Sequence, residues 1–194
     1  MRRRTFDLLA SVAGLVLVMV LAAAGGLLLW GHSFVDNQVS TQLSAQKIVF
    51  PAKDNAEFRA LPPADQAAMA QYAGQQMTTG AQAKVYADNF IAVHLSKMGG
   101  TYSQLSAQAL AQPKNAKLQG LVNTVFKGTT LRGMLLNAYA FWQMGVIALW
   151  GAIVSFIGAG LLLILSGLGF LHARWTPAAD EILPGRRAAT VTAS

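Results

Sequence analysis

The chain has 194 residues, of which 54% are hydrophobic and 12% charged, with a net charge of +7 and no cysteine. Soluble domains carry about 25% charged residues, so the deficit points to a membrane protein, and the missing cysteine excludes disulfides, thiolate catalysis and cysteine-ligated metals. Arg2, Arg3, Arg4, Arg174, Arg186 and Arg187 lie outside the two apolar runs, while the central segment between the runs carries nine basic and five acidic residues scattered singly, without the basic runs interleaved with aromatics that a nucleic-acid binder uses.

Residues 8–35, between Asp7 and Asp36, form the first uncharged run. A hydrocarbon core of about 30 Å needs about 20 mostly apolar residues, so the run is long enough to span. Arg2 to Arg4 and Ala22-Ala23-Ala24 imitate a signal peptide, but the apolar stretch continues through Leu27, Leu28, Leu29 and Trp30, beyond the length of a signal h-region. A retained anchor is expected over residues 8–31. The arginines before it place residues 1–7 in the cytoplasm by the positive-inside rule.

Trp30 and His32 mark the outer interface, and Val35, Val39 and Leu43 then recur every four residues, predicting a helix that continues outward and stops before Pro51. Residues 52–63 hold charges and two adjacent prolines and read as an irregular connection. Pro63-Ala64-Asp65 opens a short helix through Tyr72, ended by Gly74. Thr79 with Gln82 fits a capping box, and Ala83, Tyr86, Ala87, Phe90, Ile91, His94, Leu95 and Met98 form one apolar stripe behind it. That helix ends at Gly99-Gly100. Thr101 with Gln104 repeats the cap, and the following helix stops near Pro113. Leu118, Leu121, Val122, Val125 and Phe126 make a third stripe, with Gly128 as its expected C′ residue and Thr129 or Thr130 capping the next helix.

The second uncharged run covers residues 133–173, between Arg132 and Arg174, and would be about 60 Å long as a helix. That is about twice the hydrocarbon thickness. The expected span is 142–171, with Leu131 to Phe141 standing above the membrane as a stalk packed on the outward part of the first helix. Residues 32–141 then form an extracytoplasmic helical domain, and 172–194 a disordered cytoplasmic tail. The expected fold class is an all-α membrane protein, two transmembrane helices carrying an external helical bundle on their extensions.

Chemistry-bearing constellations are sparse. His32 and His172 belong to opposite membrane faces, leaving His94 alone among Asp36, Asp54, Glu57, Asp65 and Asp88, which show no EF-hand spacing and no facial-triad inventory. No catalytic residue, metal ligand or cofactor-binding residue is expected, and no cofactor. His94, with Tyr86 and Phe90 on the same stripe, is the candidate ligand-facing or pH-responsive group, because imidazole titrates near neutrality; a half-buried histidine with one or two hydrogen bonds is the plainer alternative. Within the spans, Gly151, Ser155 and Ala159 recur every four residues, and Ala10, Gly14, Ala22 and Gly26 offer small residues on the first span. Such spacing allows close helix approach.

Tyr72-Ala73-Gly74-Gln75-Gln76, Thr79-Gly80-Ala81-Gln82-Ala83, Tyr86-Ala87-Asp88-Asn89-Phe90-Ile91-Ala92-Val93-His94-Leu95, Leu131-Arg132-Gly133 and Asn137-Ala138-Tyr139-Ala140-Phe141-Trp142 resemble a family of small two-span actinobacterial membrane proteins of unknown function. The resemblance covers nearly the whole chain except its tail and implies an envelope protein with an external helical domain. Chains of this appearance are sometimes labelled aromatic ring-opening dioxygenases, a label that the ligand inventory does not support.

The functional expectation is a non-enzymatic accessory or scaffolding subunit of a cell-envelope complex in the plasma (inner) membrane. Its partners are the lipid bilayer and other membrane proteins or further copies of the chain, with no nucleic acid. The alternative is an extracytoplasmic small-molecule sensor that signals laterally, since seven residues before Leu8 and a short tail hold no output domain.

Overall fold

A computed structural model describes residues 3–175; of the tail expected to be disordered over 172–194, residues 172–175 are the end of a helix and the rest, from Thr176 onward, lies outside the described residues. The described residues are helical, with no β-strand among them. In chain order the helices are α1 (Arg3–Ala45), α2 (Ala56–Arg59), α3 (Pro63–Met69), α4 (Gly80–Tyr86), a π turn (Ala87–Ile91), α5 (Ala92–Ser96), α6 (Tyr102–Ala111) and α7 (Ala116–Trp175). Contacts divide the described chain into two units, residues 3–30 with 149–175 and residues 31–148. Both α1 and α7 are long and apolar enough to cross a membrane.

In the unit of residues 31–148, α1 ends at Ala45 and the chain reverses through Lys47, whose φ of 53° is the left-handed conformation that side chains disfavour. Ile48 to Phe50 then run extended beside residues 74–77. Phe50 N–H donates to the Gln75 carbonyl at 2.9 Å, Gly74 N–H to Phe50 at 3.1 Å and Met77 N–H to Ile48 at 2.8 Å. Three backbone bonds thus hold the two ends of this apolar triplet without a sheet. Gly74, with φ of 74°, supplies the left-handed turn that returns the chain to it.

The connection expected over 52–63 holds one helical turn, α2. Asn55 Oδ1 accepts the Glu57 N–H at 2.8 Å, which caps the turn, and Phe58 is buried beneath it. Pro63 opens α3 at a first-turn position where a missing N–H costs nothing. The predicted capping boxes are both present: Thr79 with Gln82 starts α4, and Thr101 with Gln104 starts α6.

Three expected boundaries differ. The short helix expected to run through Tyr72 ends at Met69. The helix predicted as continuous from Thr79 to Met98 contains the π turn, in which the Ala92 N–H reaches back to the Ala87 carbonyl. The stop predicted at Gly128 does not occur, because α7 continues through it and neither Thr129 nor Thr130 is a cap. A β-carbon at Gly128 would lie 2.7 Å from Leu95 Cδ2, so this glycine admits the α5 side chain rather than ending a helix. Helix-interior glycine costs only about 1 kcal/mol relative to alanine.

The core of this unit joins Val39 and Leu43 of α1, Phe50, Phe58, Leu61, Met69, Met77, Ala83, Ala87, Ile91, and Leu135 of α7. Met69 and Met77 are wholly enclosed; burying each such side chain contributes about 1.5–3 kcal/mol.

In the unit of residues 3–30 with 149–175, the less exposed positions on α7 include Ala152, Ser155, Ala159, Leu162, Ser166, Gly169 and Ala173, and those on α1 include Ser11, Gly14, Val18, Leu21 and Gly25. Both series alternate steps of three and four. That is the 3.5-residue period of a coiled-coil seam. Small residues face small or slender ones: Gly14 meets the Ser166 hydroxyl and Gly169 meets the Ser11 hydroxyl, while Gly158 faces Leu21 and Gly151 faces Leu28. The outward side chains are large and apolar, including Leu27 at 70% exposure, Met19 at 63%, Val154 at 67% and Leu165 at 62%.

Candidate functional site: an aromatic array and a helix groove

The π turn determines where the predicted site residues lie. In an α-helix, residues four apart advance about 40° around the axis, so a stripe with spacing four winds off its face. The wider π turn takes that drift back. Ala83, Ala87 and Ile91 consequently all stay buried, and Tyr86, Phe90 and His94 stay stacked along an adjacent edge. Ring centroids are 4.8 Å apart for Tyr86 and Phe90 and 4.4 Å for Phe90 and His94. Phe50 extends the array, edge-on to Tyr86 at 5.2 Å and tilted against Tyr72 at 5.3 Å. Such pairs contribute about 0.5–1.5 kcal/mol each beyond area burial.

Tyr86 is half-buried, and burial raises its phenol above the usual tyrosine value, with the Glu57 carboxylate adding to the rise. Tyr86 and Phe90 line an open depression of about 360 Å³ with Phe50, Pro51, Asn55 and Glu57. His94 does not line it. The His94 Nδ1 lies 2.7 Å from the Phe90 carbonyl oxygen, one turn back on the same helix. The structure thus brings the three predicted residues into one stack but only two of them to one surface hollow.

Around the π turn lies a polar network whose chemistry sequence spacing did not reveal. Asp88 accepts from Lys84 Nζ at 2.6 Å and from Arg132 Nη2 at 2.8 Å. Arg132 Nε also donates to the Ala87 carbonyl at 3.2 Å. The Lys84 hydrogen bond is the main reason the Asp88 carboxyl lies below its ordinary value; burial opposes it, and the Arg132 hydrogen bond adds a lesser lowering; the Asp88 bond in turn raises Lys84. Lys84 Nζ also sits 5.5 Å from the Tyr139 ring centroid. On the opposite side, Asn89 Nδ2 donates to Asp65 Oδ1 at 2.8 Å, joining the π turn to α3. These bonds position a helix rather than a reacting group. Among the described residues no group of three His, Asp or Glu side chains is placed to hold a metal ion.

The larger concavity lies elsewhere in the same unit, between the later turns of α1 and α7, with a volume of about 540 Å³. Val35, Val39, Leu43 and Ala138 form its apolar floor. Phe34, Gln38, Gln42 and Gln46 line one side, and Met134, Asn137 and Phe141 the other. No lining residue is ionisable. Gln38, Gln42 and Gln46 are spaced by four, a signal visible in the sequence but carrying no chemistry until α7 is placed opposite.

Of the small residues singled out within the spans, Gly14 contacts Ser166, Gly151 faces Leu28, Ala159 is buried and Ser155 is half-buried; Ala10, Ala22 and Gly26 are exposed. Ser11, Gly25, Ala152, Ser166 and Gly169 complete the seam. A step of four could not find them, because the seam advances by three and four alternately.

No protein-family model matches the chain, and comparisons with curated proteins and with solved structures return no match either.

Proposed function

We propose that the chain is a non-enzymatic integral-membrane accessory or scaffolding subunit of a cell-envelope complex. On this reading residues 8–31 and 142–171 lie in the plasma membrane, both ends of the chain are cytoplasmic and residues 32–141 are extracytoplasmic. The supporting observation is the outward surface of the two-helix seam, where side chains such as Leu27 and Val154 are about two-thirds exposed. Apolar surface on that scale calls for lipid or for the helices of other membrane proteins. Arg2 to Arg4 and Arg174 support the orientation through the positive-inside rule. The resemblance to small two-span actinobacterial membrane proteins is consistent with this placement.

Gentle extraction followed by native mass measurement tests the reading. Co-purifying partners or defined multimers are expected; a strict monomer with no partner contradicts it. One observation favours a second reading, an extracytoplasmic small-molecule-binding sensor that signals laterally to a partner: the 540 Å³ groove, whose volume lies in the range of about 300–1,000 Å³ typical of ligand sites.

A further inference from the structure

We propose that the groove between α1 and α7 holds the hydrocarbon chain of a neutral amphiphile, an alkyl chain bearing an ester, hydroxyl or amide group. The inference deepens the ligand-binding reading and rests on it, naming the class of molecule bound.

Shape selects the occupant. At helical rise, Phe34 to Gln46 spans about 18 Å, so a volume of about 540 Å³ gives a mean cross-section of about 30 Å². A helix with its side chains is about 10–12 Å across, which corresponds to roughly 80–110 Å². Such a rod could lie only partly within the groove, whereas a single extended hydrocarbon chain fits along its length. Its floor of Val35, Val39 and Leu43 is chemically suited to methylenes. Phe34, Met134 and Phe141, exposed by 52%, 60% and 60%, stand at the rim, where an apolar chain would cover them.

Charge selects the head. With no ionisable residue lining the groove, a phosphate, carboxylate or ammonium would enter without a counter-charge and lose hydration it could not recover. The side-chain amides of Gln38, Gln42 and Asn137 are both donors and acceptors and match the oxygen of an ester or hydroxyl. Phe34 and Val35 lie in the first uncharged run, and Met134, Asn137 and Phe141 in the second. The lining is thus drawn from the parts of α1 and α7 read as extracytoplasmic, the same two helices that carry the segments read as membrane-spanning.

The test uses the full chain in native membranes with two photoreactive probes, monopalmitoylglycerol and palmitic acid, each carrying a diazirine in its chain. Monopalmitoylglycerol is expected to label peptides within residues 34–46 and 134–141, with the fatty acid labelling at least fivefold less. Gln42→Trp, at an exposed position, should reduce labelling about tenfold while leaving the thermal transition in place; Asn137→Trp should do the same. Labelling unchanged by both substitutions, or confined to residues 8–30 and 149–173 as a lipid annulus, would overturn the proposal. So would an intermolecular disulfide through Gln42→Cys in this cysteine-free chain, which would assign the groove to a second copy. A different small molecule retained in native mass spectra and displaced by Gln42→Trp would overturn the neutral amphiphile while leaving the ligand-binding reading intact. Retention of no molecule at all would end both.

Discussion

Arg132 Nε donates to the Ala87 carbonyl oxygen at 3.2 Å, the same oxygen that accepts the Ala92 N–H across the π turn. The guanidinium's other arm holds Asp88 at 2.8 Å. One side chain of α7 thereby grips both the backbone irregularity and the carboxylate beside it. Since π turns are rare and commonly mark functional positions, the clamp explains how this one persists: its widened carbonyl has a second donor.

Arg132→Ala should lower stability by about 1 kcal/mol, a figure kept small because the guanidinium is more than a third exposed. Arg132→Lys should recover little, because a single ammonium cannot span two acceptors as a planar fork does. Hydrogen exchange localises the effect. The Ala92 amide should lose protection while the amides of α6 do not.

Gly80 and Gly120 should respond to alanine in opposite directions. A β-carbon on Gly80 would collide with Trp142 and approach the Ala138 carbonyl at 3.2 Å, whereas one on Gly120 meets nothing within 4 Å. Gly80→Ala should therefore cost about 1–3 kcal/mol through overpacking. Gly120→Ala, in an exposed helical turn, should add about 0.4–1 kcal/mol. Thermal melts of the two single variants check the pair.

The Lys84, Asp88 and Arg132 network predicts a flat response to pH around neutrality. Asp88 is depressed in the folded state, so its contribution is full above the ordinary carboxylate value of about 3.9 and disappears as pH falls through its folded value. Lys84 is raised, so its contribution is full below about 10.4 and disappears as pH climbs through its folded value. The difference in melting temperature between the natural chain and Asp88→Asn should stay constant from about pH 5 to 9 and shrink below about pH 4. A difference that changes most near pH 6.5 would assign the dependence to another group.

An ideal β-carbon on Gly169 lies 3.5 Å from Ser11 Cβ, within the range of about 3.5–4.5 Å found across disulfides. Ser11→Cys with Gly169→Cys should thus cross-link within one chain under mild oxidation. Gel mobility of the oxidised monomer reads the result. A product formed only between chains would contradict the seam.

Much of this arrangement was legible in the sequence where one residue type does one local job. Thr79 and Thr101 announce their helices because a capping box needs only a hydroxyl and an amide three residues later. The two uncharged runs announce α1 and α7 by length and composition. What local patterns could not show depends on a neighbour. Gly128 reads as a helix end until Leu95 is seen to occupy the space above it. The π turn has no composition of its own, and its clamp comes from Arg132, distant in sequence. Gln38, Gln42 and Gln46 were silent for the same reason: their groove needs Met134 and Phe141 opposite. His94, conspicuous by chemistry, lies outside the hollow that Tyr86 and Phe90 line.

The membrane placement is tested most directly by single cysteines in this cysteine-free chain, at Thr5, Val16 and Gln42, reacted in intact cells with a membrane-impermeant maleimide. Gln42→Cys should label from outside, Thr5→Cys only after lysis, and Val16→Cys not at all until the protein is denatured. Equal labelling of all three in a fraction released by alkaline carbonate would contradict the account.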